Sequence, residues 1–208
     1  GFDPVAGPLG TEFHVNSFTT SHQQYPAVAA SGTNNFLVVW DSAGQDGSAR
    51  GIFGRRFTAG GLPAGSEFMV NTYTTGYQLV PAVATDSNGF FVVVWNGAGL
   101  TDSTGVFGQR FNPAGSTVGS EFRINSYTPS SQQEAAVAAD GLGNFVVVWA
   151  SSSQDGSNFG VFGQRFDSVG TAFGGEFQVN TYTTNQQREP AVAADGAGNF
   201  VVSWISYG

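Results

Sequence analysis

The chain has 208 residues, of which 40% are hydrophobic, 11% are charged and 30 are glycine. The net charge is −8 and all seven basic residues are arginine, which argues against a nucleic-acid surface because phosphate binding needs clustered positive charge. The absence of cysteine excludes disulfides and cysteine-based zinc sites, and no apolar run approaches the roughly 20 residues of a membrane-spanning helix. We therefore expect an extracellular or cell-surface protein with no nucleic-acid partner and no membrane insertion.

A single segment recurs four times along the chain. It reads EFHVNSFTT, EFMVNTYTT, EFRINSYTP and EFQVNTYTT, and each copy is followed by an Ala-Val-Ala run and then by an apolar run that ends in tryptophan. The four tryptophans are spaced by 55, 54 and 55 residues, at Trp40, Trp95, Trp149 and Trp204. This periodicity predicts one repeat domain over residues 1–208. Its units are approximately 2–56, 57–110, 111–165 and an incomplete 166–208.

Each repeat is predicted to contain four short strands. The run PAVAA is the first strand, and a turn rich in Asp, Asn and Gly follows it. The unbroken apolar run FVVVW is the second strand, with both faces buried. The heptapeptide GVFGQRF is the third, and EFQVN, in which polar and apolar residues alternate, is an outer, half-exposed fourth strand.

Four antiparallel strands in each unit of about 55 residues indicate a propeller blade. The fold class is therefore predicted as all-β: a β-propeller of four four-stranded blades. The alternative is another repeat β-sheet stack or a sandwich.

The third strand is predicted to be missing from the last blade. Its sequence occurs as GIFGRRF at 51–57 and as GVFGQRF at 105–111 and 160–166, whereas a fourth copy would follow residue 208. Phe2 aligns with the last residue of such a strand, and the EFHVN segment at 12–16 would be the outer strand that closes the ring. We expect the missing strand to come from a longer polypeptide or, through self-association, from another chain.

The run AAVAADGLGNFVVVW at 135–149, followed by SSSQDGSNFGVFGQRF at 151–166, resembles the blades of bacterial sialidase-like propellers of the BNR, or Asp-box, type. It is also similar to the repeats of large secreted bacterial adhesin-like proteins. The Asp-box spacing is imperfect, because Gly156 stands one place early. The resemblance implies a propeller fold.

Three arginines stand at the same place in successive third strands, and a glutamate follows each of them after 11 residues. Because the third and fourth strands should form a hairpin, each Arg is predicted to pair with its own Glu as a structural ion pair. The predicted pairs are Arg56 with Glu67, Arg110 with Glu121, and Arg165 with Glu176. The four tryptophans are predicted to be core residues. Neither histidine has a counterpart in other repeats and no nucleophile elbow is present, so we expect no enzymatic activity.

Candidate ligand-binding residues lie in the loops that differ between repeats, on one face of the predicted propeller. They are Gln45, Asp46, Arg50, Tyr77, Asp102, Gln133, Asp155, Asn158, Gln187 and Arg188. Each loop offers a single carboxylate, which favours turn stabilisation and no cofactor over the alternative of a weak calcium site at Asp46 and Asp155.

The leading functional prediction is a non-catalytic extracellular binding or adhesion module with glycans or a surface protein as ligand. One alternative is a structural subunit of an extracellular filament or coat, assembled by strand complementation. The other alternative is a degenerate sialidase-like enzyme.

Overall fold

The computed structural model describes residues 11–31 and 35–208, and within these ranges the chain forms fourteen β-strands and no helix. None of the described residues therefore belongs to a helix that is long and apolar enough to cross a bilayer. The strands are β1 Gln23–Ala30, β2 Phe36–Ala43, β3 Arg50–Phe57, β4 Phe68–Met69, β5 Gln78–Thr85, β6 Phe91–Gly99, β7 Asp102–Phe111, β8 Thr117–Arg123, β9 Gln132–Ala139, β10 Phe145–Ser152, β11 Phe159–Phe166, β12 Ala172–Gln178, β13 Gln186–Ala194 and β14 Phe200–Tyr207.

The strands form repeated antiparallel sheets, as the sequence predicts. Blade A consists of β1–β4, blade B of β5–β8 and blade C of β9–β12, each paired in chain order. Unit D contains only β13 and β14, and a single parallel bridge between Phe159 and Gln186 connects it to blade C. The first strands of successive units lie beside one another, β1 with β5, β5 with β9 and β9 with β13, so they line the inner side of the arc.

The core lies between the blades and is built from the second and third strands. Trp95 and Trp149 are fully buried, and Trp40 is buried with them, where the sequence places them. The rings of Phe145 and Phe166 stack at 4.8 Å between centroids within blade C. Phe122, from the fourth strand of blade B, meets the Phe166 ring at 5.7 Å. Each blade thus closes its aromatic core with a ring from the preceding one, and burying such a side chain stabilises the fold by roughly 1.5–3 kcal/mol.

Unit D keeps the ring from the preceding blade, since Phe177 lies 6.4 Å from Phe200, but its second strand is largely exposed. Trp204 is 37% exposed and Val201 is 68% exposed, so the predicted core role of the fourth tryptophan is not realised within the described residues. At the other end, residues 11–16 form no strand, although Phe13 lies 5.3 Å from the ring of Phe57. This segment therefore lies where the fourth strand of a preceding blade would pack against blade A. The predicted ring closure, in which it pairs within the last blade, is absent from the described part of the chain.

The predicted Arg–Glu pairs do not form, because the strand register separates the two side chains. Arg110 lies opposite Val118, three residues before Glu121. Glu121 instead accepts hydrogen bonds from the backbone N–H (2.7 Å) and hydroxyl (3.0 Å) of Thr72 in the preceding blade. Arg110 donates to the carbonyl of Val169 in the following blade, at 2.7 Å.

The same correction applies to the other two pairs. Glu67 bonds to Ser17, and Glu176 bonds to Ser126. Arg56 donates to the carbonyl of Pro113, whereas Arg165 stacks over Phe173. In blades A and B, the glutamate therefore bonds to the preceding part of the chain and the arginine bonds to the following blade. The two side chains do not contact each other.

An asparagine–glutamine pair, repeated every blade, ties the blades together. The side-chain oxygen of Asn125 accepts from the backbone N–H of Val106 at 2.8 Å, and its amide donates to Gln132 Oε1 at 3.3 Å. Asn71 with Gln78 and Asn180 with Gln187 repeat this geometry. Because buried polar groups are costly unless they are paired, these networks fix the junction between one blade's last strand and the next blade's first strand.

Candidate functional site

The inner strands all begin with the same irregularity. Near its N-terminal end, each of β1, β5, β9 and β13 carries a β-bulge. At the bulge one non-glycine residue has a left-handed backbone: Tyr25 with φ 51°, Val80 with φ 52°, Glu134 with φ 59° and Glu189 with φ 52°. Such a conformation costs on the order of 1 kcal/mol per residue, and bulges commonly re-aim a side chain near a functional site. We call the four bulges and the residues bonded to them the axial rim.

Two of the bulges are held by carboxylates from the preceding unit. The backbone N–H of Glu189 donates to Glu134 Oε2 at 2.8 Å, and that of Val80 donates to Asp41 Oδ2 at 3.4 Å. An N–H that the bulge removes from the strand ladder is thereby satisfied by a charged acceptor. The rim therefore includes two acidic groups bonded to the bulges, Asp41 on β2 and Glu134 on β9.

Asp41 and Arg50 form an ion pair on the blade A side of the rim. The Asp41 side chain is fully buried, and the Arg50 guanidinium donates to its Oδ1. Burial raises the pKa of Asp41, and the hydrogen bond from Val80 and the charge of Arg50 oppose that rise. Tyr77 forms an isolated parallel β-bridge with Arg50. Tyr77 is 59% exposed, so it presents an aromatic ring to solvent beside this pair.

Glu134 and Arg188 form the second rim pair, between blade C and unit D. Arg188 Nε lies 3.4 Å from Glu134 Oε2, and its Nη2 lies 3.5 Å from Gln133 Oε1. The guanidinium also stands 4.5 Å over the ring of Phe159, which restricts its orientation. The carboxylate of the exposed Glu189 accepts no hydrogen bond from any residue in the described ranges.

The rim therefore brings two glutamates together on neighbouring inner strands, in different surroundings. Glu134 is held by an arginine and by a backbone amide, whereas Glu189 faces solvent. A pair of carboxyl groups with distinct environments is one of the features that acid–base chemistry on a glycosidic bond uses.

The loop carboxylates have a different role. Asp46, Asp102 and Asp155 each accept a bond from the backbone N–H two residues later, at 3.0, 3.1 and 3.1 Å respectively. They stabilise their own turns, as the sequence analysis favours. Across residues 11–31 and 35–208, no group of three or more His, Asp or Glu side chains is placed to hold a metal ion. Calcium binding at Asp46 and Asp155 stays a prediction.

The predicted ligand-binding residues separate into three groups. Arg50, Tyr77, Gln133 and Arg188 lie at the axial rim. Gln45 donates to Glu67 and Asn158 is exposed in its loop. The prediction that Gln187 contacts a ligand is wrong, because its side chain is fully buried and donates to the carbonyl of Thr184 at 2.9 Å.

Sequence reasoning missed the bulge residues. The first strands read YPAVAA, VPAVAT, EAAVAA and EPAVAA, and the leading residue, which takes the bulge position, varies most between copies. Asp41 was missed as well, at a place where the other repeats carry Asn96, Ala150 and Ile205.

Known proteins resemble this chain only in structure: no protein-family model and no curated protein matches it. A protein of unknown function from Dyadobacter fermentans matches with a TM-score of 0.65 at 13% identity, over 90% of this chain and 63% of the other. A thermostable family-43 glycoside hydrolase gives 0.56 at 10% identity, over 88% and 65%. The endo-arabinase of Bacteroides thetaiotaomicron gives 0.53 at 14% identity, over 93% and 74%. The chain thus spans slightly less than two thirds of the first two.

These likenesses show the fold, which is related to the β-propeller of the family-43 glycoside hydrolases. They agree with the propeller fold that the sequence resemblance implies, and the sialidase type of that resemblance stays a prediction, since no family model of any kind matches. They also contradict the leading prediction of a non-catalytic binding or adhesion module. The neighbours that carry a functional name are glycoside hydrolases and an N-acetylgalactosamine deacetylase from F. plautii, which fit the enzyme alternative better.

Proposed function

We propose that the chain forms a large part of a carbohydrate-processing β-propeller and that the axial rim acts on a glycosidic bond. The observation that carries this proposal is the placement of Glu134 and Glu189 by matching bulges on β9 and β13. The names of the structural neighbours support the substrate class, because several of them act on glycosides.

The two glutamates would divide the work of hydrolysis. Glu134, fixed by Arg188, is positioned to face the positive charge that develops on the sugar ring or to activate a water. Glu189, which no described side chain engages, is positioned to exchange a proton with the glycosidic oxygen.

The remaining rim residues suit a neutral, polyhydroxylated substrate. Tyr25 and Tyr77 are 55% and 59% exposed and offer ring faces on which a sugar can stack. Gln133 and Arg188 supply amide and guanidinium donors beside the carboxylates. A few convergent polar groups among aromatic surfaces are typical of ligand sites.

The test is a hydrolysis screen with aryl arabinofuranosides, aryl xylosides and arabinan, read as released phenol or reducing sugar. We expect turnover by the wild type and a loss of at least about 100-fold in kcat for Glu134→Gln and for Glu189→Gln. Asp195→Asn is the matched control, since Asp195 caps the turn at the opposite end of β13 and Asn can still cap it. Activity that is unchanged in both glutamate variants would overturn the proposal, as would no turnover of any glycoside.

A further inference from the structure

Blades B and C and unit D join their first and second strands through the same type of loop. In each loop an aspartate Oδ1 accepts from the backbone N–H groups two and four residues later. In blade C the amide of Asn144 also donates to Asp140 Oδ2 at 2.7 Å, and unit D repeats this bond. Blade B has Phe90 in place of the asparagine. Asp86 Oδ2 therefore accepts no hydrogen bond from any residue in the described ranges.

The residue that Asn144 contacts is replaced in blade B as well. Asn144 Oδ1 accepts from the backbone N–H of Ser168 at 3.1 Å. The corresponding residue in blade B is Pro113, which has no N–H to donate. Asp86 is nevertheless only 8% exposed. Because a buried carboxylate oxygen without a donor is costly, this oxygen favours a ligand that supplies the missing donor.

Asp86 lies in the wall of a cleft between blades B and C. The cleft measures about 370 Å³, and its wall also includes Phe90, Leu142, Val169 and Arg110. The first three of these side chains are 41%, 75% and 70% exposed, so the mouth of the cleft is apolar. The volume falls within the roughly 300–1,000 Å³ of small-molecule sites.

The corresponding cleft between blades A and B is nearly closed, at about 30 Å³. There the hydroxyl of Thr85 donates to the carbonyl of Ala30 at 2.7 Å and connects the two inner strands. Between blades B and C the position of Thr85 is taken by Ala139, which has no hydroxyl and is smaller. The open cleft is therefore a property of the interior blades B and C and of their own residues.

Arg110 contributes a charge to the cleft without forming an ion pair with Asp86. Its guanidinium donates to the carbonyls of Val169 and Ser168, and no carboxylate in the described ranges lies within 4.0 Å of it. Burial lowers the pKa of Arg110, and the charges of Asp167 and Asp86 oppose that fall. Two carboxylates around one guanidinium leave an excess of one negative charge, which favours a cation.

We propose that the cleft between blades B and C binds a small organic ammonium ion. Its charged head donates to Asp86 Oδ2, as the amide of Asn144 does to the matching aspartate in blade C. Its apolar body packs against Phe90, Leu142 and Val169, and the ring of Phe90 adds an attraction for the cation. The Asp86 loop follows the end of β5 that is remote from its bulge, so this site is separate from the axial rim and the proposal is independent of the activity assigned there.

The experiment titrates the full chain with 2-phenylethylammonium and, as the matched neutral probe, with 2-phenylethanol, followed by NMR. We expect saturable shifts of the amide signals of Asp86, Leu142 and Val169. We also expect the ammonium ion to bind at least about tenfold more tightly than the alcohol, the difference expected for a hydrogen bond between charged groups. Equal affinity of the two probes, or shifts that do not saturate, would overturn the proposal.

Three variants test the role of the free carboxylate oxygen. Asp86→Asn can still cap its turn through Oδ1 but loses the charge, so it should weaken ammonium binding at least about tenfold and leave 2-phenylethanol binding unchanged. Phe90→Asn introduces the amide that blade C uses and should compete with the ammonium ion for Asp86 Oδ2. Asp140→Asn is the matched control, since its Oδ2 already has a partner, and should bind like the wild type. Wild-type affinity in Asp86→Asn, or an equal loss in Asp140→Asn, would contradict the site.

Discussion

The strands β10 and β14 have closely related sequences, FVVVWASS and FVVSWISY, and opposite surroundings. Both pair with an Ala-Val-Ala strand through a ladder with the same bulge. Seven of the eight residues of β10 are buried, whereas most of β14 is exposed. Among the described residues, β10 is paired with a third strand and is followed by a further unit, whereas β14 pairs with β13 alone. Closely related apolar runs can therefore be either buried or exposed, and the neighbouring strands determine which of the two occurs.

The largest expected effect is the contrast between two tryptophan truncations. Trp149→Ala should destabilise the chain by about 3–5 kcal/mol, because it opens a cavity in a fully buried site. Trp204→Ala should cost about 1 kcal/mol or less, since its side chain is partly solvated already. Urea unfolding of the two variants measures both values, and similar losses would refute the contrast.

The repeated asparagine–glutamine pair gives a second, smaller contrast. Gln132→Ala removes a buried side chain that bonds both Asn125 and the carbonyl of Pro129, and it should cost about 1–3 kcal/mol. Gln23→Ala alters the first copy, which is only partly buried, and should cost less. Thermal unfolding of the two variants compares them under one condition. A larger loss of stability for Gln23→Ala than for Gln132→Ala would contradict this prediction.

The interblade glutamate Glu67 predicts a pH dependence. Burial acts to raise the pKa of Glu67, but hydrogen bonds from Ser17, Gln45 and Phe18 together lower it below its ordinary value. Because the folded-state pKa is depressed, the stabilisation exists above the unfolded-state pKa and is lost as pH falls through the folded value. Glu67→Gln should therefore lose less stability than the wild type between neutral and acidic pH, as measured by denaturation at each pH. Parallel profiles would contradict this role.

The smallest contrast concerns the third-strand arginines. Arg110→Ala breaks its bonds to the carbonyls of Ser168 and Val169 and should cost about 1 kcal/mol. Arg165→Ala should change the stability of the isolated chain by less than about 0.5 kcal/mol, because it breaks no hydrogen bond. Guanidinium titrations resolve the difference, and equal losses would mean that Arg165 has a partner of its own.

Much of the fold could be predicted from the repeat. Periodicity identifies the four strands of each unit, and the copies of GVFGQRF reveal which strand unit D lacks. The predicted Arg–Glu pairs were wrong because sequence spacing cannot show a register shift: the bulge between Gly108 and Arg110 places Arg110 opposite Val118. Between these two pairings β7 advances by two residues and β8 by four, so Glu121 lies in the irregular stretch and not opposite Arg110.

The axial rim could be predicted only in part. Arg50, Tyr77, Gln133 and Arg188 were named as candidates because they lie in loops or strand ends that vary between copies, and their role in binding stays a prediction. Glu134 and Glu189 were missed because an alternating strand gives no sign of a left-handed bulge at a non-glycine residue. Such strain appears only once the strands are paired, and it marks the place where the inner strands depart from regular geometry.

Hydrogen exchange of the isolated full chain tests most directly whether third-strand pairing and the following blade determine burial. The comparison is between the amides of β10 and β14 in one sample at neutral pH. We expect β10 to exchange only through global unfolding, while the alternate amides of β14 that point away from β13 exchange orders of magnitude faster. Equal protection of the two strands along their whole length would contradict the conclusion that β14 is an unpaired edge.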